Sequence, residues 1–259
     1  MQGSFIWYEL LSADTAAATA FYGAVVGWEA KLQGEPHGNY MIFSIPGFEM
    51  GVAGMMAITP EMACSDARPG WIGYIGTKDV DATTAEIVAT GGRLLKGPED
   101  IPGGIGRFAV ASDPHGAVFC VFRPNMPEGP LPASPARGAQ GTFGWRELYA
   151  GKWEEDLAFY AHLFGWEKSL AVDMGAMGVY QCFDLNGEGL GGTMTAVPEM
   201  GPPTWNYYIN VDGIEAAAAR VVAAGGKVLH GPQEVPGGSF ILNCRDTEGA
   251  LFSLASATR

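Results

Sequence analysis

The nine residues Phe21-Tyr22-Gly23-Ala24-Val25-Val26-Gly27-Trp28-Glu29 return as Phe159-Tyr160-Ala161-His162-Leu163-Phe164-Gly165-Trp166-Glu167, and this recurrence decides the fold. Upstream, Trp7-Tyr8-Glu9-Leu10 has its counterpart at the same spacing in Trp145-Arg146-Glu147-Leu148. Downstream, Gly91-Gly92, Gly97-Pro98 and Pro102-Gly103-Gly104 match Gly225-Gly226, Gly231-Pro232 and Pro236-Gly237-Gly238. Gly116-Ala117 and Phe119 match Gly249-Ala250 and Phe252. The repeats therefore cover about residues 4–123 and 142–255. They define a first domain over 1–123 and a second over 141–259, joined by residues 124–140. That joining segment holds five prolines and no apolar periodicity, the composition of a semi-rigid linker.

Within each repeat the local signals read strand, helix, three strands, and then the same again. Residues 4–11 and 142–149 are aromatic and apolar and have strand length. Asp14 is placed to cap a helix over 15–26, whose Ala17, Phe21, Ala24 and Val25 fall at helical spacing and which Gly27 stops. Short strands are expected near 28–32, 39–45 and 49–58. The second half reads as a strand at 71–75 and a helix at 80–90 closed by Gly91-Gly92. Strands follow near 93–96, 106–111 and 117–122, with Asp113-Pro114-His115-Gly116 as the turn between the last two. The glycine clusters lack the strand, G-x-x-x-x-G-K-[ST], helix context of a phosphate loop and are chain punctuation.

With a net charge of −13 over 259 residues, the chain is acidic. Nucleic-acid binding through phosphates needs clustered Lys and Arg, so that class is excluded and a neutral or cationic small molecule is the easier partner. No apolar run approaches the roughly 20 residues that cross a bilayer, and Met1-Gln2-Gly3-Ser4 lacks the basic start of a signal peptide; a cytoplasmic protein without membrane partners is expected. Cys64, Cys120, Cys182 and Cys244 form no C-x-x-C pair and read as reduced core residues.

The FY-x-x-x-x-GW helix end and the GG…GP…PGG…DPHGA tail resemble the vicinal oxygen chelate superfamily, which includes glyoxalase I, bleomycin and fosfomycin resistance proteins and extradiol dioxygenases. The resemblance spans nearly the whole chain outside the linker and is strongest to tandem glyoxalase-like bacterial proteins. It implies an α+β fold of two tandem glyoxalase/bleomycin-resistance-type domains. Each would be a pair of βαβββ units whose sheet forms a cup around the ligand. It implies too that two chains, or two tandem domains, supply the binding crevices, so the chain is expected to be a monomer with an internal pseudo-dimer or a homodimer.

Family members that do chemistry usually hold a divalent ion with His, Gln and Glu from the first and last strand of each unit. Alignment on the FY helix and the DPHG turn places Trp7, Gly54, Ile72 and Cys120 in those slots of the first domain. Trp145, Gly192, Asn206 and Ser253 take them in the second. Neither set supplies the imidazoles and carboxylate such an ion needs, and His37, His115, His162 and His230 fall on unrelated elements, so no cofactor and no metal are expected.

Alternation instead puts Trp7, Glu9 and Leu11 on one strand face and Trp145, Glu147 and Tyr149 on its equivalent. A carboxylate in an aromatic-lined cavity suits a general base or a partner for a ligand cation; the structural alternative is a glutamate paired with a nearby Arg or with backbone amides, such as Glu9 with Arg107. Tyr40 and Tyr180, Trp71 and Trp205, and Tyr74 and Tyr208 recur in register, as rings with polar tips suited to a flat or amphipathic ligand or to the core. The candidate ligand-binding residues are Trp7, Tyr40, Trp71, Tyr74, Cys120, Trp145, Tyr180, Asn206, Tyr208 and Ser253, with Glu9 and Glu147 as candidate bases. Asn206 for Ile72 and Ser253 for Cys120 make the second cup the more polar. Three functions compete: a metal-free cup binding an aromatic or cationic molecule, a metal-independent lyase, isomerase or hydroxylase-like enzyme using Glu9 or Glu147, and a metal-dependent lactoylglutathione lyase-like enzyme.

Overall fold

A computed structural model describes residues 2–64, 67–125 and 133–259, so residues 126–132 of the proline-rich linker lie outside the described residues. The first repeat runs β1 (Phe5–Ser12), α1 (Thr15–Val26), β2 (Glu29–Leu32), β3 (Met41–Ser44), β4 (Gly51–Ala57), a short α2 (Pro60–Cys64), β5 (Gly70–Gly76), α3 (Val80–Ala89), β6 (Arg93–Ile101), β7 (Gly106–Ser112) and β8 (Val118–Pro124). The second runs β9 (Phe143–Ala150), α4 (Trp153–Phe164), β10 (Glu167–Asp173), β11 (Val179–Leu185), β12 (Glu188–Thr195), β13 (Thr204–Asn210), α5 (Ile214–Ala223), β14 (Lys227–Glu234), β15 (Phe240–Arg245) and β16 (Leu251–Ser256). Each repeat forms an eight-stranded sheet, ordered β2-β3-β4-β1-β5-β8-β7-β6 and β10-β11-β12-β9-β13-β16-β15-β14. Two βαβββ units thus share each sheet, and in each unit the first strand pairs in parallel with the last. No helix among the described residues is long and apolar enough to cross a membrane.

The recurring motifs have local physical causes. Asp14 caps α1 by accepting the amides of Ala16 and Ala17 at 3.1 and 3.0 Å, and Gly27 and Gly165 end α1 and α4 at positive φ of 87° and 75°, where a side chain would strain the backbone. Strand β6 extends to Ile101, well past the expected 93–96. Register shifts against β7 on both sides of Lys96 let Gly97-Pro98 sit inside the strand, and β14 accommodates Gly231-Pro232 in the same way.

By packing, the chain forms two units: Met1–Trp7, Ile72–Glu128 and Trp145–Asn206 make one, and Tyr8–Trp71, Gly129–Gly144 and Tyr207–Arg259 the other. The tyrosine of the FY motif is the hub of each. In the first-named unit the fully buried Tyr160 stacks on Trp166 with centroids 5.0 Å apart, accepts the Trp205 indole N–H at 3.0 Å and donates to Asp113 Oδ2 at 3.3 Å. In the other, Tyr22 accepts the Trp71 indole N–H at 2.8 Å and donates to Asp246 Oδ2 at 3.0 Å. The tryptophan of the GW dipeptide is satisfied as well: Trp166 donates to the Gly3 carbonyl and Trp28 to that of Gly141. The aspartate of the DPHG turn receives the amides of His115, Gly116 and Ala117 on its other oxygen, so the motif is one buried relay of indole, phenol, carboxylate and turn.

Two expectations need correction. Of the cysteines only Cys120 and Cys244 are buried; Cys182 is half-buried and Cys64, at the end of the short α2, is exposed. Arg107 is held by both carboxylate oxygens of Asp81, at 2.7 and 2.9 Å, and reaches Asp100 at 3.2 Å, so acids of α3 and β6 engage the guanidinium expected to meet Glu9.

Candidate functional site

Registers place the candidate residues. In the second repeat Glu147 is level with Gly192, which is in turn level with Cys182; Tyr208 is level with Ser253. In the first repeat Glu9 is level with Gly54 and Tyr74 with Cys120. The rows that alignment placed at Trp7 and Ile72 therefore lie two residues on, one pleat along the same face, because strand pairing rather than distance from the helix fixes the level. The rows of β1 and β9 each keep one glutamate and one glycine.

The polar cluster forms around Glu147, within a single packing unit. Glu147 and Asn206 are buried, at 6% and 0% exposure, and Tyr149 beside them is 9% exposed. Asn206 Nδ2 donates to Glu147 Oε2 at 3.3 Å and to the Tyr149 hydroxyl at 3.4 Å. The Tyr149 phenol hydrogen-bonds Glu147 in its turn, and burial followed by that carboxylate's charge holds the phenol far above its ordinary range. Tyr180 completes the cluster. Its hydroxyl accepts the Trp145 indole N–H at 2.9 Å and bonds Glu147, and burial, reinforced by Glu147, again keeps it protonated. Tyr180 and Trp145 remain half-buried and form the outer edge.

A glycine makes this possible. A Cβ at Gly192 would lie 2.3 Å from Cε1 of the Tyr180 ring and 2.4 Å from its hydroxyl oxygen, so the ring rests on the bare strand and its tip reaches between Trp145 and Glu147. On the opposite face Gly191 gives the same room to the core ring of Phe183.

The second repeat's other candidates belong to the other unit. There Asn243 donates to Ser253 Oγ at 2.8 Å and to the Tyr208 hydroxyl at 3.2 Å, all three buried. In the first repeat Tyr74, Cys120 and Phe122 form an apolar cluster, against which Trp7, Ile6, Ile72 and Val110 pack. Tyr40 lies in the loop before β3 and is half-buried. Trp71 is corrected: it alternates with Tyr74 along β5, and its indole is bound to Tyr22 beneath α1, so it is core and not cavity wall. Sequence reading missed Asn243, Cys182 and Tyr149 as site residues. For Tyr149 the alternation with Glu147 already carried the signal, and for Asn243 the signal was a polar residue where the first repeat has Val110.

A divalent ion needs three or more convergent imidazole, carboxylate or thiolate ligands. Among the described residues no three His, Cys, Asp or Glu side chains group closely enough to hold one. At Gly192, where the resemblance places a ligand, the Tyr180 ring fills the space a side chain would take. The donor set around Glu147, two phenols, an amide and an indole, does not fit such an ion.

Residues 142–254 match the family model described as Glyoxalase/Bleomycin resistance protein/Dioxygenase superfamily, and residues 9–122 match one described as Glyoxalase-like domain. The chain is 30% identical over 253 residues to a Mycobacterium tuberculosis protein named "Putative glyoxylase CFP32", covering 98% of this chain and 94% of that one. It is 31% identical over 263 residues to the anthracycline biosynthesis protein DnrV of Streptomyces peucetius, covering 97% and 92%. Among solved structures, the Mn(II)-bound glyoxalase from Novosphingobium aromaticivorans superposes with a TM-score of 0.65 at 16% identity, covering 100% of this chain and 82% of the other. At that identity the likeness shows the fold alone.

Proposed function

The chain belongs to the glyoxalase/bleomycin resistance protein/dioxygenase superfamily, and from that premise we propose that its second repeat binds a small aromatic or cationic molecule against Glu147 without a divalent ion. The observation that carries this reading is the buried Glu147 carboxylate, set among aromatic side chains and hydrogen-bonded by Asn206, Tyr149 and Tyr180. A buried charge with its own donors, beneath a half-exposed indole and phenol, offers area for a flat ligand and one directional polar contact. The DnrV relative's name, a protein of anthracycline biosynthesis, supports an aromatic ligand.

The second repeat is favoured over the first on chemistry. Tyr149 and Asn206, beside Glu147, correspond to Leu11 and Ile72, and the first repeat's Tyr74 and Cys120 are packed among apolar side chains. Binding is favoured over general-base catalysis for a related reason. Asn206 and the Tyr149 and Tyr180 phenols already occupy the Glu147 oxygens, so a substrate proton would have to displace one of them.

Titration of tryptophan fluorescence with a panel of neutral and cationic aromatics tests the reading. Saturable quenching by at least one member is expected, weakened about tenfold or more by Glu147→Gln and little changed by Glu9→Gln. Absence of any quenching or thermal shift across the panel, or equal sensitivity to both substitutions, would overturn it.

A further inference from the structure

A polar recess lies at the start of α3, in the first repeat. It is a partly open cavity of about 250 Å³ lined by Lys78, Asp79, Val80, Asp81, Arg107 and Arg123, all within one packing unit. That volume is just under the roughly 300 Å³ at which small-molecule pockets begin, room for the charged head of a ligand. Arg107 and Arg123 are level on the antiparallel strands β7 and β8, so their side chains leave the same face of the sheet. The next pair, Phe108 and Phe122, is level too and takes the other face by alternation, where Phe122 joins Tyr74 and Cys120. The recess is therefore on the helix-covered side, where Asp81 of α3 meets Arg107.

Both carboxylates of the recess are engaged. Asp79 caps α3 by accepting the Ala82 amide at 3.0 Å. Asp81 is held by Arg107 through both oxygens, and its carboxyl stays below the usual range chiefly through those bonds and in smaller part through the charge of Arg123. Among the described residues no carboxylate lies at ion-pair distance from Arg123 or from Lys78 Nζ. Three cations thus line one cavity of a chain whose net charge is −13, and two of them are guanidiniums directly opposite each other on neighbouring strands, an arrangement that costs stability.

The fold does not require these cations. The second repeat builds the same sheet and helix with Asp212 in place of Lys78, Phe240 in place of Arg107 and Ser256 in place of Arg123. Phe240 and Ser256 are level on β15 and β16 as the two arginines are on β7 and β8.

We propose that the recess beside α3 binds a phosphate group, free or esterified, through Arg123 and Lys78, with the Arg107–Asp81 pair as its wall. A guanidinium fork and an ammonium from separate elements suit an anion with several equivalent oxygens, which can meet both at once. The first turn of α3 adds its partial positive charge. This site is independent of Glu147, and neither binding event needs the other.

Calorimetric titration of the full chain with inorganic phosphate, glycerol 3-phosphate and acetate, at matched ionic strength in chloride, tests the proposal. Saturable binding of both phosphates is expected, with acetate about fivefold or more weaker. Arg123→Ser and Lys78→Gln should each weaken phosphate binding by about fivefold, the size of an exposed charge contact, while keeping a cooperative thermal melt in chloride. Lys31→Gln, at an exposed cation on β2, should leave it unchanged. Tighter binding of the ester would identify a phosphorylated small molecule as the occupant, and equal binding the free ion; either supports the site. No saturable binding of either phosphate, acetate bound as tightly, or affinity undiminished in both folded variants would overturn it.

Discussion

Replacing Gly192 with alanine should dismantle the Glu147 cluster from one side while leaving the strand intact. The new Cβ would sit 2.3 Å from Tyr180 Cε1 and 2.4 Å from both Cζ and the hydroxyl oxygen. Carbon contacts are comfortable only at about 3.5–4.0 Å, so the ring must retreat by about 1 Å or more. The 2.9 Å bond from Trp145 Nε1 then stretches beyond the range in which a hydrogen bond contributes, and the phenol leaves Glu147. Losing one neutral bond costs about 1 kcal/mol and one to a carboxylate about 2 kcal/mol. Against this, alanine loses less chain entropy on folding than glycine, worth about 0.5–1 kcal/mol. The net destabilisation should be about 2 kcal/mol, read as a lower urea midpoint at unchanged slope. The decisive assay is a double-mutant cycle with Tyr180→Ala. Once the ring is gone, Gly192→Ala should be neutral or slightly stabilising, and Gly189→Ala, whose nearest neighbour is 3.5 Å away, should be near neutral in both backgrounds. Equal costs for Gly192→Ala with and without Tyr180 would refute the contact as the cause.

Four further outcomes follow, three from the buried relay around Asp113 and one from the start of α1. Burial, then the charge of Asp156, raises the Asp113 carboxyl to about 6. A raised folded value means stability that is present below about pH 4 and lost as pH rises through 6, about 3 kcal/mol over that window; Asp113→Asn should flatten this slope when unfolding is compared at pH 4.5 and 7. His115 is raised chiefly by its bond to Asp156, so its contribution is present below about pH 6.5 and lost above it, and His115→Gln should remove that later decline in thermal melts. Tyr160→Phe, which strips the acceptor from Trp205 and the donor from Asp113, should cost about 2 kcal/mol; a loss below about 0.5 kcal/mol in chemical denaturation would show the relay to be energetically idle. Glu248→Ala removes the carboxylate that accepts the Ala13 and Asp14 amides and the Ser12 hydroxyl, so hydrogen exchange at the start of α1 should accelerate with a stability loss of about 1–2 kcal/mol.

Much of the fold was legible in the chain because its signals are local. Asp14, Gly27 and Gly165 act within one turn of the helices they bound, and duplication displayed each motif twice. The Glu9 and Glu147 positions were legible as facing one way, since alternation is a property of a single strand. What stayed hidden depends on partners far apart in sequence. Level along a sheet is set by pairing, so Glu9 opposite Gly54 and Tyr74 opposite Cys120 could not be read from distance to a helix. Trp71 looked like a cavity wall because it recurs with Trp205, yet both recur as indole donors to the FY tyrosine. The Tyr180 ring lying on Gly192 had no sequence signal at all, because a glycine in a strand does not announce which neighbour needs its space.

Glu147, its phenols and Asn206 are proposed to bind a ligand without a divalent ion. The most direct test is the calorimetric affinity for 2,7-dihydroxynaphthalene, a neutral aromatic, before and after exhaustive dialysis against EDTA. The same dissociation constant is expected in both, within about twofold, because the contacts are hydrogen bonds made by protein side chains. Loss of binding after EDTA, restored by adding back one equivalent of Mn(II) or Zn(II), would contradict it.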